Sequence, residues 1–209
     1  MFQIIIYSIV FLYTLYGNDY QYPQAWDELH SDEGWELIKE TDRVKVFSKE
    51  ISASPLPAHR TEMISHLDMQ TLIKTAWKIE KSTMIFPNAY IIEAGIYKWN
   101  GDRRYTAFQL YDIPFMAPRL YQFNSILLEN SVHWNRTDTL NKGLNPDDFL
   151  LPPINFGSWH VEKYLDKSKL IYRICNDPGG NVPQWIIKMA NQKVLPQTLL
   201  DIEAYASEN

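Results

Sequence analysis

Hydrophobic and polar positions change period several times along the chain. In "DMQTLIKTAWKIEKSTMIF" the apolar residues Leu72, Ile73, Ala76, Trp77 and Ile79 recur at helical spacing, and Asp68 is placed to cap the first turn. Ahead of it, "WELIKE" and "RVKVFSKEI" read as two short strands joined tightly at "TD", with Val44 and Val46 alternating with Lys45 and Phe47; "LPAHRTEMISHL" reads as a third. Behind it, "AYIIEAGIYKW", "RRYTAFQLYDI" and "LYQFNSILLE" are strand-like runs of Tyr, Ile and Phe, the first two joined by a turn at Asn100–Asp102. "SVHWNRT" extends the sheet, and "LNKGLNPDDFLLPP" is a loop by its Gly, Asn and Pro content. "NFGSWHVEKYL" and "KLIYRICN" are the last strands, turning at "DKS". A short helix in "YPQAWDELHSDEGW" has Pro23 in its first turn and Gly34 at its end, and a long closing helix runs from Pro183 to about Ala206. Helix, three strands, helix, about six strands and helix, with short turns between strands, predict an antiparallel sheet of the α+β class.

The closing helix has an unusual pattern. Trp185, Met189, Leu195, Leu199 and Ile202 give it an imperfect apolar face, and Pro196 lies deep inside it. A proline there removes one hydrogen bond and clashes with the carbonyl of Gln192, which predicts a kink. Two glycines before it supply the backbone freedom for a sharp strand-to-helix turn, and Pro183 starts the helix where no amide donor is needed. Such a bent helix can follow a curved sheet as lid and wall; the plainer alternative is that its face packs a solid core.

Composition narrows the possibilities. Of 209 residues, 45% are hydrophobic, which suffices for one domain with a real core. Aromatics reach 14%, favouring strands and half-polar surfaces over a helical bundle. A net charge of −5 argues against nucleic acid as a partner. The one cysteine, Cys175, excludes an intramolecular disulfide or a thiolate metal cluster and is expected to be a buried thiol. Residues 1–17, "MFQIIIYSIVFLYTLYG", hold an apolar run from Ile4 to Leu15 that is short for a membrane span. It suits a secretory signal with Gly17 near the cleavage point, although no Lys or Arg precedes it; export or secretion is expected, with a membrane tether as the alternative.

Catalytic motifs are missing. The five histidines, His30, His59, His66, His133 and His160, include no i, i+4 zinc pair. "FGSWH" around Ser158 lacks the second glycine of a nucleophile elbow, and there is no phosphate-binding glycine loop. Asp147 and Asp148 read as solvated turn residues, Glu93 and Arg104 as exposed strand charges, and "NRT" at Asn135 fits a glycosylation sequon. No cofactor or metal is expected.

Three local motifs, in order, resemble the START (StAR-related lipid transfer) family. Asp177, Pro178, Gly180, Pro183 and Trp185 in "DPGGNVPQWIIKMA" match the family's approach to its C-terminal helix. "TDRVKVFSK" is similar to its early "DGVKVYSR" strand, with Arg43 where Gly is common, and "IPFMAPRLYQF" carries the matching Arg119, with Leu120 where the family has Asp. The likeness spans roughly residues 25–207, within a domain expected over 22–207. It implies a helix-grip fold: a curved antiparallel sheet wrapped around the long C-terminal helix, with an apolar cavity between them that takes one lipid. Some members bury a carboxylate–arginine pair in that cavity; Thr106 and Ser125 stand at those positions here. Candidate wall residues are Trp77, Tyr97, Tyr105, Trp159, Trp185, Met189 and Leu199, chosen by apolar character and element position. Arg119, Asp177, Pro178, Gly180, Pro183 and Pro196 are read as structural. The implied protein is a monomeric, non-enzymatic carrier of a lipid or other hydrophobic molecule, in transient contact with membranes. A helix-grip enzyme of the cyclase or hydrolase kind and a carrier of a non-lipid apolar ligand are the alternatives.

Overall fold

The computed structural model describes residues 23–138 and 148–209. The proposed signal segment 1–17, residue 22 and Asp147 lie outside them. Helix α1 (Pro23–His30) is followed by strands β1 (Glu36–Glu40), β2 (Val44–Lys49) and β3 (Ala58–Ser65). Helix α2 (Met69–Trp77), a 3₁₀ turn (Ile79–Lys81) and the single-turn helix α3 (Ser82–Ile85) come next. Strands β4 (Ile91–Trp99), β5 (Arg104–Tyr111), β6 (Arg119–Leu127), β7 (Ser131–Arg136), β8 (Ile154–Tyr164) and β9 (Lys167–Asp177) complete the sheet. The chain then runs through α4 (Gln184–Met189), a π-helical turn (Ala190–Val194) and α5 (Leu195–Glu208).

All nine strands join one antiparallel sheet in the order β1-β2-β3-β9-β8-β7-β6-β5-β4. The first three strands therefore meet the rest through the last one, β9. On the inner face, α2 and α5 pack against Val46, Met63, Val161 and Leu170 to form the main core, with Leu72, Leu199 and Ile202 fully buried in it. On the outer face, α1 lays Ala25 and Leu29 over Phe156 and Cys175. The Cys175 thiol is buried as expected, and burial pushes it up to about 12, so it is not a reactive thiolate. A second outer cluster joins Phe108, Leu110 and Leu120 to Tyr97, Phe149 and Leu151. The sheet and its C-terminal helix make a START-like helix-grip fold of the α+β class.

Two expectations change. The helix expected over residues 68–86 is capped by Asp68 Oδ1, which accepts from Thr71 N at 2.9 Å, but it breaks at Lys78 (ψ +63°) and resumes only in short turns. The clash expected at Pro196 is relieved by the π-helical turn just before it. There the Leu195 amide donates five residues back, to the Ala190 carbonyl, so the widened turn accommodates the ring. The carbonyl of Gln192, which Pro196 cannot serve, accepts instead from the Lys39 ammonium. Asn135, the sequon residue, is 8% exposed in β7 and is no acceptor for a glycan in the folded protein.

Candidate functional site

Between the inner face of the sheet and the first half of the closing helix lies a cavity of about 290 Å³. Its wall is mostly aromatic and aliphatic. From β5 come Tyr105 and Tyr111, from β6 Tyr121 and Phe123, from β7 Trp134, and from β8 and β9 Trp159 and Tyr172. These are alternate residues of their strands, so the period of two that predicts each strand also delivers its large rings to one face. Trp134, Trp159 and Tyr172 form a continuous ring surface, with centroids 5.7 and 4.3 Å apart across the three strands. Ile186, Met189 and Val194 of the helical segment close the other side, and Ile113 and Met116 of the β5–β6 loop reach in at one end.

The expected wall residues separate into two groups. Tyr105, Trp159 and Met189 line the cavity. Trp77, Tyr97, Trp185 and Leu199 do not. Trp77 stands behind Tyr105, ring centroids 4.1 Å apart, and supports the wall without reaching the space. Tyr97 stacks on Phe108 on the outer face. The register of β4 shifts between Ile96 and Lys98, and Gly95 leaves room for the Phe108 ring, which a Cβ there would meet at 2.9 Å. Leu199 is fully buried in the solid core. The apolar face of the helix thus has two duties: its first half borders the cavity and its second half packs the core. Trp185 points outward, 53% exposed, and meets the still more exposed Phe115 edge to face at 6.3 Å.

The motif residues build the turn that holds the helix. Asp177 Oδ1 accepts from the Gly179 amide at 2.8 Å, and Gly179 and Gly180 both take positive φ. Arg119, 3% exposed, donates to the carbonyls of Pro178 and Gly179 at 3.3 Å each and to that of Ala117. The arginine therefore ties the start of β6 to the turn. Pro183 is the cap just before the helix and not its first residue; its carbonyl accepts from the Ile186 amide at 2.9 Å. Pro178 lines the cavity beside this turn.

Polar groups in the wall are few and mostly satisfied by one another. Tyr111 donates to Gln109 Oε1 at 3.3 Å, Gln109 Nε2 to Ser82 Oγ at 2.9 Å, and Ser82 to the Ile79 carbonyl at 2.6 Å. Asn176 Nδ2 donates to the Tyr121 hydroxyl at 3.2 Å. Among the described residues of the wall, two buried side-chain atoms have no hydrogen-bond partner: Asn176 Oδ1 and His59 Nε2. Burial lowers His59 to about 4, so its ring is neutral near pH 7. Burial also raises the Tyr121 phenol to about 12 and Tyr111 and Tyr172 further, leaving all three protonated. Ser125 lines the cavity, but Thr106 faces outward and binds Asn100 and Asn124, so no ion pair forms at these two positions. Sequence reasoning missed Tyr111, Tyr121, Trp134 and Tyr172, which shared the strand period of the residues it chose.

The curved sheet, the closing helix and the apolar cavity between them make up a START-like helix-grip fold. Solved structures place it among such folds. A STAR-related lipid transfer protein from Xanthomonas axonopodis superposes with a TM-score of 0.69 at 20% identity, covering 84% of this chain and 99% of its own. Human STARD10 gives 0.74 at 13% identity, covering 92% and 80%. The Zhui aromatase/cyclase from Streptomyces sp. R1128 gives 0.52 at 10% identity, covering 72% and 93%. No family model and no curated protein matches the sequence.

Proposed function

We propose that the protein binds one neutral, mainly apolar molecule in the cavity and carries it between membranes without altering it. The observation that carries this reading is the aromatic cavity under the closing helix, in whose described lining Lys78 is the single charged residue. A fatty chain gains about 0.8 kcal/mol per CH₂ on leaving water, so one of about sixteen carbons gains on the order of 12 kcal/mol. A volume of about 290 Å³ is at the small end for ligand sites and favours a single-chain or compact ring-shaped molecule over a two-chain phospholipid. Asn176 Oδ1 and His59 Nε2 suit a hydroxyl-bearing ligand, since each otherwise stays buried without a partner. Native mass spectrometry of the protein from its own host tests this: a single copurifying neutral lipid or sterol-sized molecule is expected, and recovery of only charged or polar metabolites would refute it.

The enzyme reading draws on the aromatase/cyclase likeness. Against it, His59 Nε2 contacts no hydroxyl among the described residues, so it is not placed to activate a serine or threonine of the wall, and Ser82 is committed to Ile79 and Gln109. Labelled ligand extracted after several hours should therefore be unchanged.

Membrane contact is assigned to Phe115 and Trp185. Phe115 is 91% exposed and held at φ +67°, a costly conformation for a bulky residue, between the wall residues Ile113 and Met116. Inserting both rings into a bilayer removes them from water at the cavity mouth. Changing both to serine should cost about 3 kcal/mol of membrane affinity, a loss of more than a hundredfold on phosphatidylcholine vesicles. Thermal stability should be unchanged. Vesicle cosedimentation equal to the parent's would remove this surface from the mechanism.

A further inference from the structure

The outer face of the sheet carries a second pocket, of about 560 Å³, on the far side of the strands from the apolar cavity. Its wall comes from five elements. His30 ends α1 and Asp32 follows it; Arg60 and Glu62 come from β3, His133 from β7, Ser158, His160 and Glu162 from β8, and Lys169 and Arg173 from β9. Each strand residue is at an alternate position to the cavity-lining ones, which is why a polar set collects here.

The charges do not pair off evenly. Three carboxylates face three cations. Arg60 lies 3.4 Å from Asp32 and 3.1 Å from Glu62, the latter an ion pair too oblique for a hydrogen bond, and Lys169 lies 3.1 Å from Glu62 and 3.5 Å from Glu162. Those contacts engage all three carboxylates and two of the cations. Arg173 is left over. It is 9% exposed, its Nε is buried with no acceptor, and its side chain makes no hydrogen bond or ion pair with any described residue. A guanidinium in that position is costly unless an anion meets it. Burial, and after it the like charge of Arg60 on the neighbouring strand, weaken the hold of Arg173 on its proton, while Asp32, Glu62 and Glu162 act on it in the other direction from beyond ion-pair distance.

Neighbouring groups fit the same reading. His30 Nδ1 is 2.9 Å from the Trp26 carbonyl, which can only accept, so that nitrogen carries the hydrogen. Burial lowers His30 to about 4, so the ring is neutral and its Nε2 accepts from the Ser158 hydroxyl at 2.9 Å. This relay is closed on itself and leaves Arg173, Lys169 and His160 as donors toward the pocket. Lys169 and His160 stand at its rim, with side chains 23% and 37% exposed. No group of three or more His, Cys, Asp and Glu among the described residues is arranged to hold a metal ion.

We propose that this pocket binds a small free oxyanion, a phosphate or carboxylate group, with Arg173 as its counter-charge and Lys169 and His160 at the rim. The site is separate from the apolar cavity and does not depend on what fills it. The guanidinium fork accepts two oxygens of either group side by side.

The test titrates the full chain with inorganic phosphate and with acetate, in chloride buffer of constant ionic strength, by calorimetry and by the arginine Nε–H resonances. Saturable binding of at least one anion at one site is expected, with one buried Nε–H signal shifting in step and the midpoint of thermal unfolding rising. Arg173→Met should weaken binding at least tenfold while leaving uptake of a fluorescent apolar probe intact. If that variant does not fold, Lys169→Gln at the rim should still weaken binding several-fold, and the Nε–H titration of the parent needs no variant. The proposal is overturned if neither anion binds better than chloride, or if Arg173→Met binds as the parent does. It is likewise overturned if only vesicles containing phosphatidic acid bind, because the pocket would then serve a surface and not a free anion.

Discussion

Leu199→Asp should leave the protein unfolded, while Met189→Arg should leave it folded and unable to take up ligand. The two positions lie on the same apolar face of the closing helix, yet their surroundings differ. Leu199 is fully buried against α2 and the sheet. Removing a buried leucine costs about 2–5 kcal/mol, and a carboxylate without a partner adds several more. That total rivals the whole stability of a typical domain, about 5–15 kcal/mol. Met189 borders a cavity, where water can enter and the long arginine stem can carry its charge toward the mouth. Its loss of stability should stay near 1–2 kcal/mol, while binding of a fluorescent lipid falls beyond detection. Circular dichroism melts and the binding assay on the same samples check both halves. Equal damage to folding by both substitutions would mean that the space beside Met189 is packed solid.

Gly157→Ala should lower stability markedly, although it adds one methyl group. A Cβ at Gly157 would lie 2.2 Å from the carbonyl oxygen of Arg173 and 2.5 Å from the Trp134 ring. The first is backbone of the neighbouring strand and cannot swing away; the second is part of the cavity wall and stacks on Tyr172. Overpacking of this kind costs about 3 kcal/mol, which for a chain of this size lowers the melting temperature by roughly 10 °C. Ligand capacity should fall as well, since Trp134 is displaced. Urea unfolding with the parent's slope and midpoint would show that β8 has room the geometry denies.

Strand and helix order was readable because the rules behind it are local. The alternation in β5, β8 and β9 and the Asp68 cap each need only a few neighbouring residues. The faces were harder. Tyr97 was expected inward because it is a large ring on a strand, but the irregular pairing beside it puts it outward, and irregular pairing leaves little trace in one strand's own pattern. Pro196 announced a problem in the helix without announcing its solution, because the widened turn before it depends on contacts from elsewhere, among them Lys39 on β1. The outer pocket was missed for a similar reason: its members are spread from residue 30 to residue 173. The alternation of Ser158, His160 and Glu162 along β8 was its one local sign.

The position of β9 in the sheet sets the order of events when the chain folds. Three strands made early, β1 to β3, pair among themselves, but among the described residues they join the remaining sheet through the register His59↔Ile174 to Ser65↔Ser168. More than a hundred residues separate those partners, and closing so long a loop must precede any reward from it. The early hairpins and the meander from β4 to β8 therefore wait with open edges until the last strand arrives and zips between them. During that interval the aromatic inner face is uncovered, since the helix that shields it emerges later still. A ribosome-bound chain of this design is most prone to aggregate just before synthesis of β9 is complete.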